Sequence, residues 1–335
     1  MNKLKRGAVR TAATALLIAA SALAAALGAL AGARSDEQAR RVFENSAPIA
    51  ENLEYGTFKA VPITGRFAAK DPDGDAVTYE VILPPKRGGV EHDGTGAFVY
   101  APNDNARGRD YLEYVAIDAY GNVSSPATVK FTIRKRATKT AYSDMDGDPA
   151  LYAALTLADE GIFTGERLGQ AWFFHPEREV TRGEFLAMCM RLDGGDIIDG
   201  VTKTGFFDDD AIPAWVKPYI STGLVAGAIN GYKNDDGKLV FSPQKTITIS
   251  EAAVVLNNIL KITDVADIGV FSGGSAPAWA LAASVNLASC GILPQDALSN
   301  GGRAVTRADA AQMLVASSAV IGARSDNKSL FSLIS

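Results

Sequence analysis

The sequence predicts a multidomain β + α protein, in which an antiparallel β-sandwich is followed by a pseudo-threefold α-helical bundle. Between residues 47 and 136, apolar side chains alternate with polar ones, which is the period of a half-buried strand. After residue 141 the apolar period becomes helical, and one pattern of helix start returns twice. One such helical pair cannot bury its apolar stripe alone, so three copies closing on each other are the expected arrangement.

The first 33 residues have the features of a secretory signal peptide. Basic residues precede an alanine-rich apolar run over residues 12–30, and small residues suitable for cleavage follow. The run is long for a signal peptide, so an uncleaved anchor is the alternative. A polar leader is expected over residues 34–46, and no later segment is long and apolar enough to span a bilayer. Either way, the sequence predicts an exported protein.

Composition disfavours several function classes. A net charge of −5 and a sequence pI of about 5.2 do not favour nucleic-acid binding. No catalytic motif stands out, and His92 and His175 are expected at the surface, so no enzyme is predicted. Cys189 lies on an apolar helical stripe and is predicted to be buried, with a Cys189–Cys290 disulfide as the alternative.

Short strands separated by turn clusters are predicted over residues 47–136. Val129, Phe131 and Ile133 alternate with polar residues, and turn-forming Asp, Pro, Gly and Asn residues separate this run from similar ones. Many short strands at such spacing favour one antiparallel β-sandwich.

This segment resembles bacterial cadherin-like and immunoglobulin-like (Ig-like) surface modules. The resemblance lies in the turn 71–75 (DPDGD), the strand 96–100 (GAFVY) and the segment 115–118 (VAID) before Gly121 and Asn122. It implies that acidic side chains bind Ca²⁺, an ion that prefers hard oxygen ligands. Carried over to this chain, the implied calcium ligands are Glu51, Asp71, Asp73 and Asp118. The alternative is that the Asp-rich turn is only a tight connection between strands.

Three predicted helix starts in the second half share one sequence pattern. Each has a threonine in the N-cap position, an acidic residue three positions later as its capping-box partner, and an apolar residue before the cap. The predicted pairs are Thr181 with Glu184, Thr248 with Glu251, and Thr306 with Asp309.

Helix capping does not explain the arginines that follow two of these threonines. Arg182 and Arg307 stand at the first helical position, where the helix dipole disfavours a cation. An arginine beside free backbone N–H groups is a receptor for a carboxylate or phosphate, and we expect one here. A solvated surface arginine is the alternative. The second repeat has Ile249 at this position.

The second half of the chain resembles S-layer homology (SLH) repeats. The resemblance lies in the order of five motifs, namely Phe-x-Asp, Trp, Gly-Ile-x-x-Gly, Phe-x-Pro and Thr-Arg-x-Glu. The repeats would span residues 141–193, 205–262 and 269–322, followed by a C-terminal tail over 323–335. The resemblance implies a pseudo-threefold helical bundle that attaches exported proteins to the cell envelope without a covalent bond. Grooves between such repeats bind secondary cell wall polysaccharide, often through the carboxylate of a ketal-linked pyruvate.

Carried over residue by residue, the resemblance implies three kinds of ligand contact. Arg182 and Arg307 would bind the acidic sugar. Trp215 and Trp279 would stack on a sugar ring, with a core position as the alternative. The third kind comes from Asp144 and Asp209, which would orient a loop or accept sugar hydroxyls, with simple loop capping as the alternative. Ile249 and Gly273 depart from the pattern.

We therefore expect a secreted protein of the cell wall or S-layer. Its SLH repeats would bind an acidic, pyruvylated wall polysaccharide linked to peptidoglycan, and its β-sandwich would serve as a spacer or interaction module. The alternative is an adhesin or envelope assembly subunit in which the β-sandwich does the binding, with calcium as an optional ion and other envelope proteins as partners. Neither hypothesis requires a cofactor.

Overall fold

The computed structural model describes residues 45–263, 276–294 and 296–332. The predicted signal peptide, most of the predicted leader and Gly273 lie outside the described residues. The described chain divides into two compact units. The first contains residues 45–60 and Thr64–Ile133, and the second contains Val61–Ile63 and the chain from Arg134 onwards. In the part of the chain described, no helix combines the length and apolar character that a membrane span requires.

The first unit is a β-sandwich. Its strands in chain order are β1 (Ile49–Ala50), β2 (Leu53–Phe58), β3 (Ile63–Arg66), β4 (Ala69–Lys70), β5 (Thr78–Leu83), β6 (Gly88–His92), β7 (Ala97–Pro102), β8 (Gly108–Ile117) and β9 (Ala127–Arg134). One sheet has four strands in the order β2-β9-β8-β5, the other has three in the order β3-β7-β6, and β1 pairs with β4.

The alternation predicted for the last strand is confirmed. Val129, Phe131 and Ile133 on β9 are buried, and the polar residues between them are partly exposed. The Phe131 ring stacks on Tyr100 with ring centroids 3.8 Å apart. Tyr100 donates a hydrogen bond to the buried carboxylate of Asp110 at 2.8 Å, which also accepts from two backbone N–H groups of the loop between β5 and β6. This carboxylate is buried but fully used, as a stable core requires.

The second unit is mostly helical. Its helices are α1 (Leu151–Asp159), α2 (Arg182–Asp193), α3 (Lys217–Val225), α4 (Ile249–Leu260), α5 (Ala278–Ser289) and α6 (Arg307–Ser332), with a short 3₁₀ helix at Asp209–Ala211. Two hairpins complete it, β10 (Glu166–Leu168) with β11 (Ala171–Phe173) and β12 (Tyr232–Lys233) with β13 (Leu239–Val240). Helix α6 continues through Ser332, into the segment predicted as a tail.

The predicted helix starts are confirmed. Thr181 and Thr248 cap α2 and α4, and each exchanges both capping-box hydrogen bonds with the glutamate three residues later. At α6, Thr306 N donates to Asp309 at 2.9 Å, and Asp309 N donates to the Thr306 hydroxyl at 3.1 Å. A local sequence pattern therefore marks where each of these three helices begins.

A closed ring of backbone hydrogen bonds joins the three helix starts. Val180 N donates to Val305 O at 2.9 Å, Val305 N donates to Ile247 O at 2.9 Å, and Ile247 N donates to Val180 O at 3.0 Å. All three side chains are almost fully buried. These are the apolar residues that precede the caps, so the repeated pattern in the sequence becomes a cyclic contact among the repeats.

No disulfide joins Cys189 to Cys290, so the alternative of a bridge between them is wrong. Cys189 is fully buried on α2, as the apolar stripe predicts, and this burial raises the pKa of its thiol well above the ordinary value.

Two adjacent hydroxyls at the start of α4 provide a stability test. The Thr248 hydroxyl accepts a capping hydrogen bond, whereas the Ser250 hydroxyl is buried and has no hydrogen-bond partner among the described residues. We expect Thr248→Ala to lower the free energy of unfolding by about 1 kcal/mol. Ser250→Ala should leave it unchanged or raise it, because the change removes an unsatisfied buried group.

Thermal unfolding followed by far-ultraviolet circular dichroism would compare the two variants with the parent chain. A larger loss of stability in Ser250→Ala than in Thr248→Ala would contradict the prediction.

Candidate functional site

The helix N-termini predicted to receive an anion are already occupied by the protein. In each repeat, the N–H groups of the first two helical residues donate to carbonyl oxygens of a neighbouring repeat, at 2.8 to 3.0 Å. The first two N–H groups of each helix are therefore not available to a ligand. The pairs are Arg182 with Lys245, Gly183 with Pro243, Ile249 with Arg303, Ser250 with Gly301, Arg307 with Arg178, and Ala308 with Pro176.

Arg182 is also engaged internally. Its Nε donates to Phe241 O at 3.0 Å, and its Nη1 lies 3.3 Å from a carboxylate oxygen of Glu251. The guanidinium lies over the Tyr232 and Phe241 rings, and the side chain is only 11% exposed. It therefore connects the first repeat to the second, rather than facing solvent.

Arg307 has the same arrangement between the third repeat and the first. Its Nη1 donates to Phe174 O at 2.9 Å and its Nη2 to Glu166 at 2.8 Å, while the guanidinium lies over the Phe163 ring. The hydrogen bond from Arg307 is the main reason that the pKa of Glu166 is below its ordinary value. Neither arginine matches the expected free receptor, and neither matches the solvated alternative, because both are largely buried and paired.

Asp144 caps a loop. Its two carboxylate oxygens accept from Phe174 N at 2.9 Å and His175 N at 2.7 Å. His175 has a positive φ of 55°, a strained conformation for a residue other than glycine, and the Asp144 carboxylate holds its N–H. His175 is partly exposed and lies 3.7 Å from both the Asp144 and the Glu166 carboxylate oxygens.

The counterpart of Asp144 in the second repeat is Asp208, not Asp209. Asp208 accepts from Phe241 N at 3.0 Å and from Ser242 N at 2.8 Å, and Ser242 also has a positive φ. The prediction of Asp209 as the loop-capping residue is therefore wrong by one position. The signal that would have corrected it is the doublet Phe206–Phe207, of which Phe206 is the buried member and Phe207 the exposed one.

Asp209 has a different role. It accepts from the backbone N and the hydroxyl of Thr204, at 2.7 and 2.8 Å, and from Lys217 Nζ at 2.7 Å. The Lys217 hydrogen bond is the first cause that lowers the pKa of Asp209 to about 2. Asp209 thus fastens the segment before α3 to the start of that helix.

Trp215 and Trp279 are exposed. Trp215 is 54% and Trp279 is 63% accessible to solvent, so the alternative of two core tryptophans is wrong. Trp215 lies just before α3, and Trp279 is the second residue of α5. An exposed indole ring offers an apolar face on which a ligand can stack, so these two rings are candidate contact surfaces.

One of the two rings lines a cleft in the helical unit. This cavity, which we call the Trp215 cleft, has a volume of about 230 Å³ and a mainly apolar lining that also contains three charged side chains. Residues from all three repeats contribute, which the repeat pattern could not reveal. Its lining consists of Leu157, Ile162, Phe163, Phe174, Val180, Glu184, Ala187, Met188, Arg191, Trp215, Tyr219 and Arg307.

Arg191 is the lining residue that sequence reasoning missed. It lies in the last turn of α2, where a cation is ordinary because it complements the helix dipole. Its Nε donates to the Tyr219 hydroxyl at 3.1 Å, its Nη1 donates to Gly161 O at 3.1 Å, and the guanidinium lies over the Tyr219 ring. Its place beside Trp215 depends on the packing of α3 on α2, for which the sequence has no local signal.

Asp71 and Asp118 bind backbone groups of their own turns. Asp71 accepts from the N–H groups of Asp73 and Asp75, and Asp118 accepts from those of Tyr120 and Asn122. These bonds are those of the turn alternative. Asp73 instead accepts from Ser46 N, outside the turn, and Glu51 leaves its side chain exposed. Within the described ranges, no group of three or more His, Cys, Asp or Glu side chains could hold a metal ion.

The Asp209–Lys217 pair predicts a pH dependence. Because the folded pKa of Asp209 is about 2 and its ordinary value is 3.8, its contribution to stability is present above pH 3.8 and lost as the pH falls towards 2. We expect Lys217→Met to raise the pKa of Asp209 towards the ordinary value. Carboxylate titration by NMR would measure this, with Lys233→Met as the control. An unchanged titration midpoint in Lys217→Met would contradict the assignment.

A comparison with known protein families matches the β-sandwich. Residues 45–132 match the family model described as bacterial Ig domain. The chain is 28% identical over 128 residues to cell surface glycoprotein 1 of Acetivibrio thermocellus, a match that covers 36% of this chain and 5% of that protein. The chain therefore spans only a small part of that relative.

Solved structures of low similarity also match. Human protocadherin-24 EC1-2 is 16% identical, with coverage of 28% of this chain and 46% of that one and a TM-score of 0.23. The fibronectin(III)-like modules of Clostridium thermocellum CbhA are 17% identical, with coverage of 27% and 47% and a TM-score of 0.18. Residues 45–132 therefore form a bacterial Ig-like domain, and the chain as a whole has a relative among cell surface proteins.

Proposed function

We propose that this chain is an exported protein held to the cell wall without a covalent bond by its helical unit. In this proposal the three repeats are SLH repeats that bind an acidic, pyruvylated secondary cell wall polysaccharide. The Ig-like domain serves as a spacer or interaction module. The observation that carries the proposal is the exposed Trp215 ring beside an apolar cleft with charged groups in its lining.

The chemistry of the Trp215 cleft suits a sugar. A pyranose ring has an apolar C–H face that stacks on an aromatic ring, and its edges carry hydroxyls that need hydrogen-bond partners. Trp215 offers an exposed ring, and Tyr219 lies edge-on to it with ring centroids 6.5 Å apart. Arg191 and Glu184 bring polar atoms to the same cleft. Trp279, on the first helix of the third repeat, would supply a second stacking surface.

Arg182 and Arg307 have a positioning role in this proposal. Each holds a carbonyl oxygen of the loop in the adjacent repeat, and Arg307 also lines the Trp215 cleft. Arg307 therefore shapes the cleft through Phe174, whose carbonyl oxygen it holds, and Arg182 holds the equivalent loop of the second repeat. The chain acts by binding alone, so the proposal includes no catalytic step and no cofactor.

The second candidate function is that of an adhesin or envelope assembly subunit, in which the Ig-like domain binds the partner. The match of residues 45–132 to bacterial Ig domains and the resemblance to a cell surface glycoprotein favour it. The two candidates differ in where binding resides. Wall binding that does not depend on the Trp215 ring, or on the acidic polymer, would favour the Ig-like domain.

Co-sedimentation of the exported chain with purified cell wall tests the proposal. We expect retention on intact wall, and loss of retention once the acidic polysaccharide has been stripped. Trp215→Ala should weaken binding by about 2- to 12-fold, the effect of losing one aromatic stacking contact worth roughly 0.5–1.5 kcal/mol.

Val225→Ala is the matched control, because Val225 is an exposed apolar residue on the same helix, α3, and does not line the cleft. Equal retention on intact and stripped wall would rule out polysaccharide anchoring by the repeats.

A further inference from the structure

We propose that Arg191 is the residue that receives the acidic group of the glycan in the Trp215 cleft. This inference rests on the proposed function and specifies how the ligand's charge is recognised. It assigns acid recognition to a residue outside the repeated helix-start pattern. The argument depends on which charged groups of the cleft are already neutralised.

Two of the three charged residues that line the cleft are paired. Arg307, 7% exposed, donates to the Glu166 carboxylate at 2.8 Å. The Glu184 carboxylate accepts from Thr181 N at 2.9 Å and lies 3.8 Å from Arg178 Nη2. A ligand carboxylate that bound Arg307 would have to displace the Glu166 carboxylate. Glu166 would then lose one of its cationic partners, which is costly.

Arg191 is the third charged residue, and no carboxylate lies within ion-pair distance of it among the described residues. Its protein partners are neutral: the Tyr219 hydroxyl and the carbonyl oxygens of Gly161 and Ile162. Nη2 makes no hydrogen bond to any described residue, so its two N–H groups are open to an acceptor. The side chain is exposed.

The Arg191 guanidinium is also held in place before a ligand arrives. It stacks over the Tyr219 ring with its central carbon 5.8 Å from the ring centroid, and Tyr219 and Trp215 both line the cleft. A planar cation fixed in this way loses little freedom on binding, and its open Nη2 can donate a charge-assisted hydrogen bond to a carboxylate. A sugar stacked on Trp215 would therefore bring an acidic substituent towards a preformed receptor.

The equivalent position in the second repeat shows that the charge exceeds what the fold needs. Asn258 stands ten residues after Thr248, as Arg191 stands ten after Thr181, and its amide donates to Ala228 O at 3.2 Å. Ala228 follows α3 as Ile162 follows α1, so a neutral amide makes the same bond to the end of the first helix. The third repeat has Ala316 at this position. Of these three equivalent positions, the one that carries a charge is in the Trp215 cleft.

Binding of the full exported chain to three wall preparations tests this inference. The first is intact wall, the second has its carboxyl groups reduced to alcohols, and the third is stripped of the polysaccharide. We expect the parent chain to bind intact wall roughly tenfold more tightly than reduced wall, the worth of a charge-assisted pair. Arg191→Gln, which keeps a donor for the carbonyl bond, should bind both equally and lose the salt dependence of binding.

Two further variants make the result specific. Arg191→Lys should retain part of the preference, because it keeps the charge but not the planar fork. Arg167→Gln is the matched control, since Arg167 also lies over an aromatic ring, that of Trp172, and does not line the cleft. It should keep the full preference. A preference for intact wall in Arg191→Gln as large as in the parent would overturn the inference and leave the proposed function standing.

Failure of the parent chain to bind any wall preparation would overturn both. Circular dichroism would establish that Arg191→Gln is folded. If it is not folded, the same binding comparison is made with Arg191→Asn, which places at this position the residue that the second repeat already has.

Discussion

The helical unit depends on the ring of backbone hydrogen bonds through Val180, Ile247 and Val305. Each residue donates to one neighbour and accepts from the other, so removing any repeat would leave two unsatisfied groups in a buried position. The ring also brings each helix start against a loop of the adjacent repeat. The N–H groups of the first two helical residues find their acceptors there, and the clefts between repeats take their shape from the same contacts.

This geometry explains why a cation is tolerated at the start of α2 and α6. The arginine reaches across the junction to a loop carbonyl and a carboxylate, and these contacts offset its unfavourable place in the helix dipole. At the third junction the equivalent residue, Ile249, is fully buried, so packing takes the place of the ion pair. The same sequence feature that suggested a ligand receptor is thus part of how the repeats hold one another.

Predictions from sequence succeeded where the interaction is local. The capping boxes at Thr181 and Thr248 join residues three apart, and the alternating burial along β9 follows from the strand period itself. They failed where the partner is distant in sequence. Arg307 binds a carbonyl oxygen 133 residues away. Asp208, rather than Asp209, caps the loop of the second repeat because it accepts from backbone N–H groups 33 and 34 positions later. The position of Arg191 beside Trp215 likewise depends on helix packing.

The backbone ring has a consequence for the order in which the helical unit folds. Its last member along the chain is Val305, so the ring cannot close until the third helix start has been synthesised. Contacts this distant in sequence carry a loop-closure entropy cost and form late. Until then the N–H group of Val180 and the carbonyl oxygen of Ile247 lack their ring partners, so the repeats lock together in one late step.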